Sequence, residues 1–435
     1  MAEPSQQDSV RPAPQWHPAT RLLFRFAFAY FLLCNLPFPL TWLFYIPHAD
    51  VVLTPLLKPY WAFWRAAVPW VGKHLFAVNP AVRINGSGDS TWGYVQVFCW
   101  LTLALAATVA WTLLDRRRQS YVRLHEWLRV YVRFALAAAM VTYGAIKVIK
   151  SQFPDPALDR LLQPLGDASP MGLLWTFMGA SQSYNVFSGA GEMLGGLLLT
   201  LRRTTLLGAL VSIAVLGNIV MLNFSYDVPV KLYSAQLLVE ALFLTLPDLR
   251  RLGDMFLLNR RVAPAADRPL FRRAGLHRGA LALRTGLVVL FVVFSLADAY
   301  DSGRDAKQPQ LYGIWNVDEL TADGRVLPPS VADASRWRRM IFDFPGMMSI
   351  QTMDDSRHRY NLVLDPVQHT LALTSRDDPQ WKSALSYRQP DPRSLTVAGK
   401  FGDRQIQARL HWVKAPKFLL TSRGFHWINE YPFNR

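Results

Sequence analysis

Four ionisable side chains stand in or beside runs that are otherwise apolar: Lys147, Glu192, Asp227 and Lys231. They form the candidate catalytic set. A carboxylate and an ammonium shielded from water can exchange protons with a bound molecule, because burial and a neighbouring charge tune when each gives up its proton. Ionisable groups at membrane depth are costly, and that cost makes them functional candidates. Tyr143 lies one helical turn from Lys147, on the same face. Ser181 and Tyr184 precede the run that carries Glu192, and Asn218, Asn223 and Tyr226 lie late in the next. Trp175 and Phe177 offer aromatic walls. These eight are the candidate ligand-binding residues; no metal-ligand pattern accompanies them.

Plainer roles stand beside this one. Asp227 suits the N-cap of the following helix, with Pro229 in its first turn, and Lys231 is spaced to pair with Asp227. Lys147 can snorkel to an interface. Glu240 can pair inside a bundle or sit near the inner interface. Glu192 sits in "SGAGEMLGG", whose small residues let helices approach closely, so it is paired with a lysine, protonated, or lining a wet cavity.

The elements that position these residues are membrane spans. The chain has 435 residues, 51% hydrophobic and only 18% charged, which suits two domains, one of them apolar. Uncharged runs such as Phe26–Ile46, Tyr94–Leu114 and Thr204–Phe224 are about as long as the ~20 residues a helix needs to cross a bilayer. Seven spans are expected: Leu22–Ile46, Gly93–Leu114, Tyr131–Ser151, Gly189–Leu201, Thr204–Phe224, Leu232–Leu246 and Leu281–Ala299. Pro37 and Pro39 of "NLPFPL" should kink the first. With the N-terminus in the cytoplasm, Arg116–Arg118, Arg202–Arg203 and the arginines of the loop Asp248–Gly279 all fall inside, as the positive-inside rule requires. That rule accounts for the net charge of +16 without nucleic acid as a partner. In the same threading Lys147, Glu192, Asp227 and Lys231 share one depth near the outer side. The first span reads as a retained signal anchor. Cys34 and Cys99 form no CxxC pattern, and no histidine sits mid-span, so dithiol and paired-histidine haem chemistry are not indicated.

Val51–Val71 is rich in Trp, Tyr and Pro and reads as interfacial, as does Ser169–Tyr184. The domain expectation is a cytoplasmic tail over 1–20, a helical membrane domain over 21–300 with its core near 93–250, a linker over 301–310, and an extracytoplasmic β-domain over 311–435. In the last, "RWRRMIFDF", "MMSIQTM", "RHRYNLVL", "HTLALTS", "SLTVAGK" and "RQIQARLHW" alternate with a period near two, which predicts an antiparallel barrel or sandwich. "YGIW" at Tyr312–Trp315 resembles the G-x-W opening of lipocalin-like barrels.

The stretch from "QFPDPALDRLLQPLGDASPMGLLW" through "SGAGEMLGGLLLTLRR" to "NFSYDVPVKLYS" resembles the core of the DoxX-like membrane protein family, and "NGSGDSTWGYVQ" resembles the segment before a core helix in its longer members. The similarity runs over roughly residues 20–259, and the β-domain looks like an appended module. The resemblance implies a mainly α-helical protein with a four-helix core made by spans three to six, with a further contribution from span two, a bacterial inner-membrane location and redox associations. Some relatives are subunits of thiosulfate:quinone oxidoreductases, others act in oxidative-stress systems, and the related vitamin K-dependent carboxylase membrane domain handles a quinol. Only Glu192 of "GAGE" and the "NFSYDVPVK" turn carry over. The expectation is a redox-associated protein that meets a quinone or quinol at an outer-side polar cavity and exchanges electrons with a partner redox subunit. The alternative is a non-enzymatic anchor whose periplasmic β-domain binds a protein or lipidic ligand. A small-molecule transporter ranks third, because no inverted repeat is visible.

Overall fold

A computed structural model describes residues 15–46, 48–82, 86–263, 274–304 and 308–434. Most of the expected N-terminal tail, residues 264–273 of the basic stretch and the middle of the expected linker lie outside the described residues. The chain divides into two compact units, Met1–Val148 with Phe187–Asp298, and Ile149–Val186 with Ala299–Arg435. The second unit therefore joins the β-domain to a segment, 149–186, that lies between two spans in the sequence.

The first unit is helical. Helix α1 (Pro18–Asn35) starts on a proline, whose missing N–H costs nothing there, and stops where Leu36-Pro37-Phe38-Pro39 cannot continue the ladder. A 3₁₀ turn, Leu40–Tyr45, carries the run onward. Arg25 ties α1 to the end of α3 (Thr91–Leu114): it donates to Thr112, Tyr121 and the Asp115 carbonyl. Between them α2 (Asp50–Phe76) is one helix despite Pro55, Pro59 and Pro69. Residues 63–75 of α2 face residues 98–103 of α3 across an apolar groove, and Trp64 and Val68 also pack with Val95 and Cys99.

Helix α4 (Val122–Val148) is central, with Ala135 to Val141 all buried; its alanines let neighbours come close. The short α5 (Leu158–Leu161) and α6 (Pro170–Ala180) belong to the second unit. Then follow α7 (Gln182–Thr200), α8 (Thr205–Ser225), α9 (Lys231–Thr245), the single turn α10 (Leu249–Leu252) and α11 (Ala274–Arg304). Helix α11 runs through Asp301 and Gly303, so the first part of the expected polar linker is helical. Among the described residues six helices are long and apolar enough to cross a membrane: Pro18–Phe44, Thr91–Leu114, Val122–Val148, Thr205–Ser225, Lys231–Leu257 and Arg278–Gly303. The expected fourth span lies in α7, which is not among them because its opening turns, "QSYN", and Glu192 are polar.

The second unit holds an antiparallel β-barrel. Its strands are β1 (Gly313–Ala322), β2 (Arg325–Val326), β3 (Trp337–Phe344), β4 (Met347–Thr352), β5 (Arg357–Asp365), β6 (Thr370–Ser375), β7 (Lys382–Asp391), β8 (Ser394–Phe401) and β9 (Arg404–Val413). Eight strands close the sheet through β1–β9, from Ile314↔Val413 to Ala322↔Ile406, and β2 is a two-residue flap on β1. All six alternating runs became strands. The runs missed β7, where only Leu385 and Tyr387 point inward and the rest is polar. Closure removes the sandwich alternative. Inside, Trp315, Leu320, Met340, Phe342, Leu371 and Leu385 fill the barrel, which eight strands make just wide enough for side chains. Gly313 has φ +133°, and a Cβ there would fall 2.4 Å from the Trp412 indole nitrogen, so only glycine fits. Arg336 is buried but satisfied, donating to the carbonyls of Leu327, Val317, Asp318 and Trp337.

The 149–186 segment packs on this barrel. Leu158 covers the outward-facing Ile314 and Ile341. Asp159 pairs with Arg357 at 3.1 Å and Arg359 at 2.7 Å, and its backbone N–H donates to Asp343 at 2.8 Å. Burial holds the Asp343 carboxyl above the usual carboxylate range.

Candidate functional site

Two glycines set the site. Gly144 of α4 and Gly189 of α7 meet so closely that a Cβ on either would stand 2.6 Å from the other's carbonyl oxygen. Three residues beyond each glycine come Lys147 and Glu192. Side chains lean toward the N-terminus of their own helix, so on two helices passing each other these two lean together. Lys147 Nζ lies 2.6 Å from Glu192 Oε1, and both side chains are buried, Glu192 to 1% exposure.

The pair borders a cavity of about 50 Å³. Its walls are Ala139, Met140 and Tyr143 of α4, Leu216 and Ile219 of α8, Val230, and Tyr233, Ser234 and Leu237 of α9. At ~30 Å³ per water it is the size of one or two waters. The Lys147 ammonium lies 5.8 Å from the Tyr143 ring centroid, and the Tyr143 and Tyr233 rings are 5.9 Å apart. Tyr233 keeps 38% of its surface exposed, so one wall reaches the bundle's outside. An ammonium–carboxylate pair with two phenols around a small void can hold a polar group and pass it a proton.

The expected site residues fall into three groups. Lys147, Glu192 and Tyr143 come together at the cavity. Asp227 and Lys231 do not line it: they pair at 2.8 Å, with Asp227 85% exposed and its backbone left-handed at φ +51°. Asp227 is also not the cap of α9. That role falls to Asp89, which accepts from the Lys231 N–H at 2.8 Å and the Leu232 N–H at 3.0 Å and reaches the Lys231 ammonium at 3.7 Å. Gly88 and Asp89 in turn donate to the Pro229 carbonyl, closing the loop on the turn. Asn223 bridges α8 to α9 through the Ser234 hydroxyl at 3.0 Å; Tyr226 ends α8, and Asn218 faces out of the bundle.

Trp175, Phe177, Ser181 and Tyr184 belong to the second unit. There Trp175 packs on Phe153, Phe177 on Tyr184, and the Ser181 hydroxyl accepts from the Tyr184 N–H. Tyr233 and Ser234 of the cavity wall and the cap Asp89 carried no flag in the sequence. Ser234 lies three residues after Lys231 and so on the same helix face, which was readable; Asp89 sits 142 residues from its partner and was not.

No family model matches the chain, and no solved structure matches it. The chain is 33% identical to the uncharacterized protein YwoB of Bacillus subtilis (strain 168) over 143 residues, which are 32% of this chain and 87% of YwoB. With that identity over most of the relative's length, the chain belongs to the family of YwoB.

Proposed function

We propose that the chain is a seven-span protein of the bacterial cytoplasmic membrane, DoxX-like in its core, which exchanges protons with a quinone or quinol at the Lys147–Glu192 cavity. The observation that carries this reading is the buried ion pair facing a small void walled by two tyrosines. The void admits the oxygen end of a ring, while the ring itself lies at the mouth against Ile219, Val230 and Tyr233. On quinol oxidation two O–H bonds break. The protons leave by way of the Glu192 carboxylate, and the two electrons pass to a partner redox subunit. Lys147 holds the carboxylate in place and steadies negative charge on the quinol oxygen.

Several features support the finer points. The cavity lies among α4, α7, α8 and α9, the four helices expected as the core. Helix α7 is the seventh span, packed between α4 and α8 by Gly189 on Gly144 and Gly195 on Ser212. The basic loops favour a cytoplasmic N-terminus and an extracytoplasmic barrel. Gly313 and Trp315 support a lipocalin-like barrel. The test is titration of the purified full-length protein with quinone analogues. Binding by wild type that weakens in Glu192→Gln and Lys147→Met supports the reading; equal, negligible binding by all three overturns it.

A second reading is a membrane anchor whose barrel engages a partner. It is favoured by the exposed Phe425, Trp427, Ile428 and Tyr431 after β9. On that reading Glu192→Gln cells behave as wild type, whereas loss of residues 424–434 abolishes function.

A further inference from the structure

Glu240 of α9 is fully buried, and its surroundings differ from those of Glu192. Its Oε1 accepts from the Asn35 amide at 2.9 Å and the Gln236 amide at 3.3 Å, both neutral donors. Its Oε2 is buried with no hydrogen-bond partner among the described residues. Among those residues, too, no lysine, arginine or histidine pairs with it. The titratable groups that feel its charge are Tyr30 and Cys34 of α1, Tyr131 of α4 and Tyr233 of α9; none is a cation.

The place matters as much as the partners. Glu240 is nine residues from Lys231 at one end of α9 and eight from Asp248 beyond the other, about 12–14 Å from each by helical rise. It therefore lies about midway through the bundle. There α1 breaks at Asn35, and the carbonyls that the break frees are taken by tyrosine hydroxyls: Tyr60 donates to Leu36 at 2.8 Å and Tyr131 to Phe38 at 3.3 Å. A broken helix at membrane depth is tolerated where it lines a site. A carboxylate there with only neutral donors costs far more than a carboxylic acid.

We propose that Glu240 is a proton-binding site at the middle of the bundle that exchanges with the Lys147–Glu192 cavity along the face of α9. Tyr233 lies two turns from Glu240 on that helix and is itself a cavity wall. The transfer moves one proton and no electrons: the O–H bond at Glu240 breaks, the Tyr233 hydroxyl relays the charge by accepting one proton as it gives up its own, and an O–H bond forms on a water in the cavity. It does not depend on which molecule the cavity takes.

Infrared spectroscopy of the full-length protein in lipid tests this. Wild type should show the carbonyl stretch of a protonated carboxylic acid, retained in Glu192→Gln and lost in Glu240→Gln, and the band should shift on transfer to D₂O. Tyr233→Phe should slow that shift at least tenfold. If Glu240→Gln does not fold, Glu240→Asp supplies the assignment by moving the band. Absence of a Glu240-dependent band, or a band that never exchanges, overturns the site. An unchanged exchange rate in Tyr233→Phe overturns the route.

Discussion

Breaking the Lys147–Glu192 pair one residue at a time should cost far more than removing both. At the 2.6 Å separation, the attraction with an effective dielectric of 20 is about 6 kcal/mol before desolvation. Desolvating each ion costs several kcal/mol, so the intact pair gains little over apolar side chains. A single removal keeps one desolvation cost and loses the attraction, a penalty of about 3–5 kcal/mol. Lys147→Met leaves the carboxylate at 1% exposure, whereas Glu192→Gln leaves an ammonium near a helix end that can reach outward. Lys147→Met should therefore be the worse variant, and Lys147→Met/Glu192→Leu should recover most of the loss. Reversible unfolding in bilayer or mild detergent reads this as a double-mutant cycle, with an expected coupling of at least about 2 kcal/mol. Losses under about 1 kcal/mol for each single variant, or additivity in the double, would refute a pair held by mutual charge.

Asp89→Ala should destabilise the helical unit by about 1–2 kcal/mol through loss of the α9 cap, whereas Asp227→Ala should cost under about 0.5 kcal/mol, both read from thermal unfolding. Gly189→Leu should prevent α4 and α7 from meeting and abolish crosslinking between cysteines placed at 147 and 192, while Gly217→Leu, at a position with open space, should leave it intact. Asp159→Ala strands Arg357 and Arg359 and should cost the second unit about 2–3 kcal/mol, seen as faster proteolysis near residue 158. The Asp323 carboxyl is held below the usual range by the Gln405 N–H and by Arg404. Its contribution is therefore present above the unfolded value and fades as pH falls through the lower folded one, so Asp323→Asn should flatten the acid side of the barrel's stability profile.

The strands were legible because alternation with period two is local, and Trp337 to Phe344 carries it within eight residues. Strand β7 escaped because "RQPD" at its end reads as a turn. Glu192 and Lys147 were legible as ionisable residues in apolar runs, and their pairing followed from small residues that permit close approach. The cap of α9 was misread: Asp227 is adjacent in sequence, but a positive φ turns it outward, and the partner came from a loop before α3. Glu240 drew little weight because its key neighbour, Asn35, belongs to "NLPFPL", which was read for its kink and not for the donors and carbonyls that a kink exposes. Within the 149–186 segment the sequence spoke only for Ser169–Tyr184, as interfacial, and nothing around Asp159 announces that its partners are Arg357 and Arg359.

That last separation sets an order of events during synthesis. Asp159 precedes Arg357 by 198 residues. At the ~5–20 residues per second of chain elongation, the arginines follow Asp159 by roughly ten to forty seconds. Throughout that interval Leu158 and Asp159 lack the surface they finally cover. The segment that leads from α4 to α7 can therefore reach its final packing only after the last domain has been made and closed, although it is synthesised long before it.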